Sequence, residues 1–285
     1  MNAKVDFGMI VLNGDSFVDL VIKNVYDIAN KIIIIEGAVK SADMTYKNFG
    51  RCSSSDENGL STDKTQEKIL SVPDPLKKIV YKRVGWVSDK VKLSQMYLDE
   101  SDADYIWQLD SDEMYEKWVM EDVIKYLENH KDINTVSFPL WHFIGDICHI
   151  GGGGKNTAWA TIPFRRIHRF KKGSTWRHHE PPELIWPDRK DTSVDKIGIE
   201  LGKEFCESMG WYLYHYSLVE RKQAVEKMEN FYSRIYKPNW VNRIFDHIFD
   251  KDVIDKYGSH PRCETNIWGE YIILDKGNVE RFIRR

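Results

Sequence analysis

Two periods of apolar and polar positions alternate along the chain. Residues 7–12, FGMIVL, are a short continuous apolar run, and NGDS follows as a turn in which Asp15 or Ser16 is placed to cap a helix. Phe17, Leu20, Val21, Val25 and Ile28 then recur at helical spacing. The stretch KIIIIEG, residues 31–37, is too β-branched for a good helix and apolar on both faces, so it predicts a central parallel strand. The opening is thus β-α-β. Residues 38–60 are polar and predict a long loop. STDKTQEKIL opens a helix with a capping-box-like Asp63 and Gln66. KKIVYKRVGW (77–86) predicts a third strand, SDKVKLSQMYLDESD a second amphipathic helix, and YIWQL (105–109) a fourth strand.

Beyond a helix over 118–129 the pattern changes. INTVSFPLWHFIG, AWATIPFRRIHRF and STWRHH predict strands, with the glycine run 151–154 between the first two. GWYLYHYS (210–217) predicts a later strand and residues 218–236 a charged amphipathic helix, while 237–285 predict an irregular extension packed on the core. Strands alternating with helices at this spacing predict an open, mostly parallel α/β sheet that takes its ligand at the carboxyl ends of the strands.

Composition narrows this picture modestly. The 285 residues suffice for a sizeable core, and 42% hydrophobic with 30% charged residues is the balance of a soluble globular chain. With 41 basic and 44 acidic residues, the net charge of -3 gives no overall drive toward nucleic acid or membrane. Cys52, Cys148, Cys206 and Cys263 form no CxxC pair, which argues against a zinc ribbon and for reduced thiols. No apolar run reaches the roughly 20 residues of a membrane span. The expectation is a cytoplasmic protein, at most peripheral at the membrane.

The chemistry concentrates where YIWQL runs into Asp110, Asp112 and Glu113. Two carboxylates one residue apart on a tight turn suit a shared Mg²⁺ or Mn²⁺ that also meets phosphate oxygens; the plainer alternative is a helix cap. Glu36, closing a buried strand, is placed to bond a base imide or ribose hydroxyls, and Asp63 is equally explained by capping. His215 lies in an apolar strand, where an imidazole is either a core group or a ligand. Glu180 and Glu183 in HHEPPE are candidate general bases. Arg165, Arg166, His168 and Arg169 form a basic cluster suited to a diphosphate, and strand alternation sends at most one of the first two into a site. Trp141, His142 and Trp159 are candidate sugar-stacking groups, with core packing as their plainer role.

Taken in order, IVLNGD, IIIIEGA, STDKT, SQMYLDESDADYIWQLDSDE and FRRIHRFKKGSTWRHHEPPEL, followed by WYLYHYS, resemble a family 2 type glycosyltransferase of the GT-A fold over residues 5–236. Ser94-Gln95 stands where that family often has Arg-Asn. The resemblance implies a nucleotide-sugar-binding half (1–116) and an acceptor half (117–236). It further implies donor contacts from Asn13, Glu36, Asp63, Gln95, Asp110 and Arg165, and a metal, Mn²⁺ or Mg²⁺, on Asp110, Asp112 and His215. Glu180 is implied as the base, with Glu183 in reserve. The implied reaction is transfer of a sugar from a nucleotide-diphosphate sugar, a UDP-sugar by the family's commonest habit, with inversion by direct displacement. The acceptor stays open among a glycan, a lipid-linked sugar, a protein side chain and a modified base. The rivals are a nucleotidyltransferase of related fold, disfavoured because NGDSF lacks a Gly-rich basic loop, and a non-catalytic carbohydrate-binding or assembly protein.

Overall fold

A computed structural model describes residues 3–39, 55–144, 150–151, 164–179, 181–189, 191–230 and 245. Glu180, Trp159 and the extension predicted over 237–285, apart from residue 245, lie outside the described residues.

Strand β1 (Val5–Val11) pairs in parallel with β2 (Lys31–Glu36) on one side and with β4 (Tyr105–Asp110) on the other. Parallel β3 (Ile79–Arg83) extends this edge beyond β2. β9 (Phe164–Arg169) runs antiparallel between β4 and β6 (Ile133–Phe138), and β12 (Ile199–Leu201) finishes the far edge in parallel with β6. The seven strands stand in the order β12-β6-β9-β4-β1-β2-β3. This is the open, mostly parallel α/β sheet expected.

The four isoleucines of β2 show why the strand is central. Ile32 and Ile34 enter one core and Ile33 and Ile35 the other, all fully buried. Each such burial is worth about 1.5–3 kcal/mol against exposure. On the first face lie α1 (Val18–Val25), α2 (Thr65–Ser71) and α4 (Lys117–Asn129), and Trp107 stacks there between Phe7 and Phe138 at 5.1 and 5.5 Å. The second face carries α3 (Lys90–Glu100) and the hairpin of β10 (Thr175–His179) with β11 (Pro182–Ile185). Tyr97 of α3 packs against the sheet at Gly8, where a Cβ would stand 2.4 Å from its ring.

INTVSFPLWHFIG is two strands. Pro139, which has no N–H to give a ladder, separates β6 from β7 (Leu140–Ile144), and the chain changes sheets there. β7 joins β5 (Glu113–Met114), β13 (Leu213–Leu218) and β8 (Ile150–Gly151) in a smaller sheet ordered β5-β13-β7-β8. Two more helices, α5 (Lys203–Ser208) and α6 (Arg221–Asn230), complete the described elements, apart from a short 3₁₀ turn at Val194–Lys196. Neither Asp15 nor Ser16 caps α1; Gly14 O instead accepts from Phe17 N and Val18 N, and both polar side chains turn toward α6.

Candidate active site at the acidic turn

Strand β4 delivers the acidic turn beside the carboxyl ends of β1 and β2, since Ile10 pairs with Asp110 and Val11 with Glu36. Two devices hold the turn. Asn24 of α1 forms a reciprocal pair with the Tyr115 backbone, at 2.9 and 3.0 Å, and Tyr216 N donates to Asp112 O at 2.8 Å. The loop after β1 packs against it, with Gly14 so close that a Cβ would be 3.0 Å from Ser111 Oγ. The large and small sheets therefore meet at Asp112.

Arg166 supplies the counter-charge. Its Nε donates to Glu113 Oε2 at 2.9 Å, and its Nη2 reaches both Glu113 Oε1 and, at 3.2 Å, Asp110 Oδ2. Glu113 Oε2 also accepts from Asp110 N at 3.1 Å, so one buried carboxylate ties the turn's backbone to the guanidinium. Packing around Asp110 pushes its carboxyl up, but Arg166 more than offsets this and holds it below the ordinary range. Burial raises the Glu113 carboxyl, and Arg166 offsets that only in part. Arg165, the expected donor contact of β9, is paired elsewhere in this structure. A register shift between Val136 and Ser137 sets it opposite Ser137, where Glu200 at 3.1 Å and Asp195 at 3.4 Å take it. Alternation did admit one of the two arginines, and it is Arg166.

Asp112 faces the smaller sheet. His215 Nε2 lies 3.4 Å from its Oδ1, and Gln223 Nε2 at the start of α6 donates to its Oδ2 at 3.0 Å. Sequence reasoning missed Gln223, because an amide on a charged helix carries no motif. His179, near enough to Asp110 to feel its charge, is bonded through Nδ1 to Ser94 Oγ at 3.2 Å, and burial with nearby Lys90 and Arg166 lowers its pKa to about 3.

Other predicted donor contacts have structural employment. Glu36 is wholly buried: its carboxylate accepts from Ser61 N at 2.8 Å, Arg83 Nε at 3.0 Å and the Tyr81 hydroxyl, so it offers a nucleoside no exposed oxygen. Asp63 accepts from Thr65 N at 2.9 Å and Asp15 N at 3.1 Å, joining the β1 loop to the start of α2. Gln95 bridges α3 to the hairpin, donating to Ser174 O at 3.2 Å and accepting from Trp176 N at 3.0 Å. In this structure a loop or hairpin backbone thus claims the side chains of Glu36, Asp63 and Gln95, the three expected donor contacts. Asn13, in the loop just after β1, has φ 52°, and its Oδ1 accepts from Thr62 N at 2.9 Å at the rim of the site. Glu183 faces Arg177 at 3.8 Å. Trp141 stacks on Tyr214 at 5.4 Å, as a packing aromatic does.

Among the described residues, no three His, Cys, Asp or Glu side chains converge as a ready cation cage. The donor types nonetheless fit a hard dication: two carboxylates on one turn, an imidazole, and the Gln223 Oε1, which is buried without a hydrogen-bond partner on the amide that touches Asp112. Among the described residues, no helix is long and apolar enough to cross a membrane.

No protein-family model matches the chain, and no curated protein matches it either. Among solved structures, the chain is similar to residues 1–349 of TarS from S. aureus, with 12% identity over 87% of this chain and 71% of that one, at a TM-score of 0.38. It is also similar to glucosyl-3-phosphoglycerate synthase from Mycobacterium tuberculosis. The complex of that protein with Mn²⁺, UDP and glucosyl-3-phosphoglycerate aligns at 12% identity over 59% of this chain and 57% of that one, with a TM-score of 0.38. Its complex with Mn²⁺, UDP-glucose and phosphoglyceric acid aligns at 13% identity over 49% and 44%, with a TM-score of 0.35.

Proposed function

We propose that this chain is a GT-A type glycosyltransferase that moves a sugar from a nucleotide-diphosphate sugar to an acceptor hydroxyl. The observation that carries the reading is the acidic turn Asp110–Asp112 at the carboxyl end of β4, with His215 against Asp112. A crevice at the strand ends is where an open α/β sheet binds its ligands. Asp110, Asp112 and His215 would hold Mn²⁺ or Mg²⁺, which when bound offsets the diphosphate charge and stabilises it as a leaving group. Arg166 fixes Asp110 and limits the negative charge that the turn presents. Glu180 is the base: its carboxylate takes the acceptor proton as the acceptor oxygen bonds to the anomeric carbon and the bond to the diphosphate breaks, which inverts that carbon. Glu183 is its reserve. With Glu36 occupied, the preference for a UDP-sugar rests on the resemblance alone.

Thermal unfolding with a panel of nucleoside diphosphates and sugar nucleotides, each with Mn²⁺ or with chelator, tests the reading. A ligand at 100 times its dissociation constant stabilises by about 2.7 kcal/mol. The expected result is a shift for one nucleotide that disappears with chelator and in Asp112→Ala. No shift in any condition overturns the donor site. Glu180→Gln is then expected to keep the shift while transfer falls roughly 10²-fold.

A further inference from the structure

We propose that Gln223 belongs to the cation site, its side-chain amide turning to present Oε1 as an oxygen ligand when Asp112 holds a divalent ion. This rests on the metal-dependent reading above and adds to it a residue from α6. Three contacts fix the start of that helix over the site. Ser16 Oγ donates to Glu220 Oε2 at 2.6 Å, Lys222 Nζ lies 3.2 Å from Asp15 Oδ2, and Gln223 Nε2 donates to Asp112 Oδ2 at 3.0 Å. Gln223 is thus held at the carboxylate by its helix.

The amide is only half used. Nε2 is bonded, whereas Oε1 is buried and accepts from no group. A buried carbonyl oxygen without a donor is unfavourable, and such atoms in native proteins call for an explanation. A cation at Asp112 would give that oxygen a partner once the amide turns it toward the carboxylate. Rotation of the amide about its last side-chain bond exchanges nitrogen and oxygen with almost no change of shape. With nitrogen toward Asp112 the amide donates a hydrogen bond. With oxygen toward Asp112 the two oxygens repel unless a positive charge lies between them, and amide oxygens are ordinary ligands of hard dications. One side chain therefore satisfies the carboxylate in the absence of the ion and coordinates in its presence. It also adds an oxygen to a set in which Asp110 is drawn to Arg166 and, among the described residues, no three acidic, thiol or imidazole groups converge as a ready cage before the ion binds.

The test is a titration of Mn²⁺ into the full chain, with free ion read by electron paramagnetic resonance, for wild type, Gln223→Met and Gln223→Glu. Met keeps the length and removes the oxygen; Glu keeps an oxygen. Melting in chelator checks that each variant is folded, and Gln223→Ala, with the best helix former, replaces any variant that is not. Gln223→Met is expected to bind Mn²⁺ at least about tenfold more weakly than wild type, as loss of a supporting group does at metal sites, and Gln223→Glu as tightly or more so. Equal binding by wild type and Gln223→Met overturns the assignment. Tighter binding by Gln223→Met also overturns it and makes the amide a competitor of the ion. If wild type itself binds no Mn²⁺, the metal-dependent reading fails and this inference with it, an outcome distinct from the other two.

Discussion

Arg166 Nη2 stands 3.2 Å from Asp110 Oδ2 while the same guanidinium grips the buried Glu113. A cation of the protein itself thus occupies one flank of the turn that is proposed to hold a metal. Removing it as Arg166→Met leaves Glu113 buried without its partner, which typically costs about 3–5 kcal/mol. Urea unfolding of the variant at neutral pH is expected to show a loss of that order. A loss below about 1 kcal/mol would mean that Glu113 is not held by this pair.

Glu36→Gln separates structure from recognition. The neutral amide keeps the shape but weakens the bonds from Arg83, Ser61 and Tyr81, and the expected cost is about 1–3 kcal/mol. Relative affinities for nucleoside diphosphates are expected to be unchanged. A reordered preference among bases would return Glu36 to the donor site.

Acid sensitivity should trace in part to His168. Both ring nitrogens are buried without partners, its ring meets Trp176 edge-on at 5.0 Å, and burial lowers its pKa to about 3. The unfolded chain takes up a proton near pH 6.5 that the folded chain refuses down to about 3, so stability contributed by the neutral ring is full above 6.5 and declines as pH falls through that window. His168→Phe is expected to flatten the fall in melting temperature between pH 6.5 and 4. An unchanged slope would assign the acid response elsewhere.

Gly8→Ala brings a methyl into the Tyr97 ring at 2.4 Å. The expected loss is about 1–3 kcal/mol, as for other overpacked cores. Adding Tyr97→Leu is expected to recover part of it, so the two changes are non-additive. Strict additivity in denaturant titrations would show that ring and glycine do not press on each other.

Local patterning carried most of the large sheet. The isoleucines of β2, the apolar run of β1 and the run of β4 into the acidic turn are legible because both faces of a central parallel strand are apolar. What was not legible depends on contacts between distant segments. The choice of Arg166 over Arg165 hangs on a register shift against β6, and Pro139 moving the chain between sheets reads as an interruption until both sheets are seen. Glu36, Asp63 and Gln95 look free in sequence because the backbone groups that bond all three have no letters of their own, and Tyr81 and Arg83, which also bond Glu36, lie 45 and 47 positions away from it. The closeness of His215 to Asp112 comes from pairing of β13 with β5, in which His215 sits opposite Glu113.

Groups that close the acidic turn are made well after the turn itself. Asp112 and Gln223 are 111 positions apart, and Ser16 and Glu220 are 204 apart. At roughly 5–20 residues per second, translation adds Gln223 about 6–22 s after Asp112. A nascent or prematurely terminated chain that stops short of β13 carries the paired aspartates without the imidazole and the amide that flank them. On this arrangement the proposed ion site is complete only once residues 213–223 have been made.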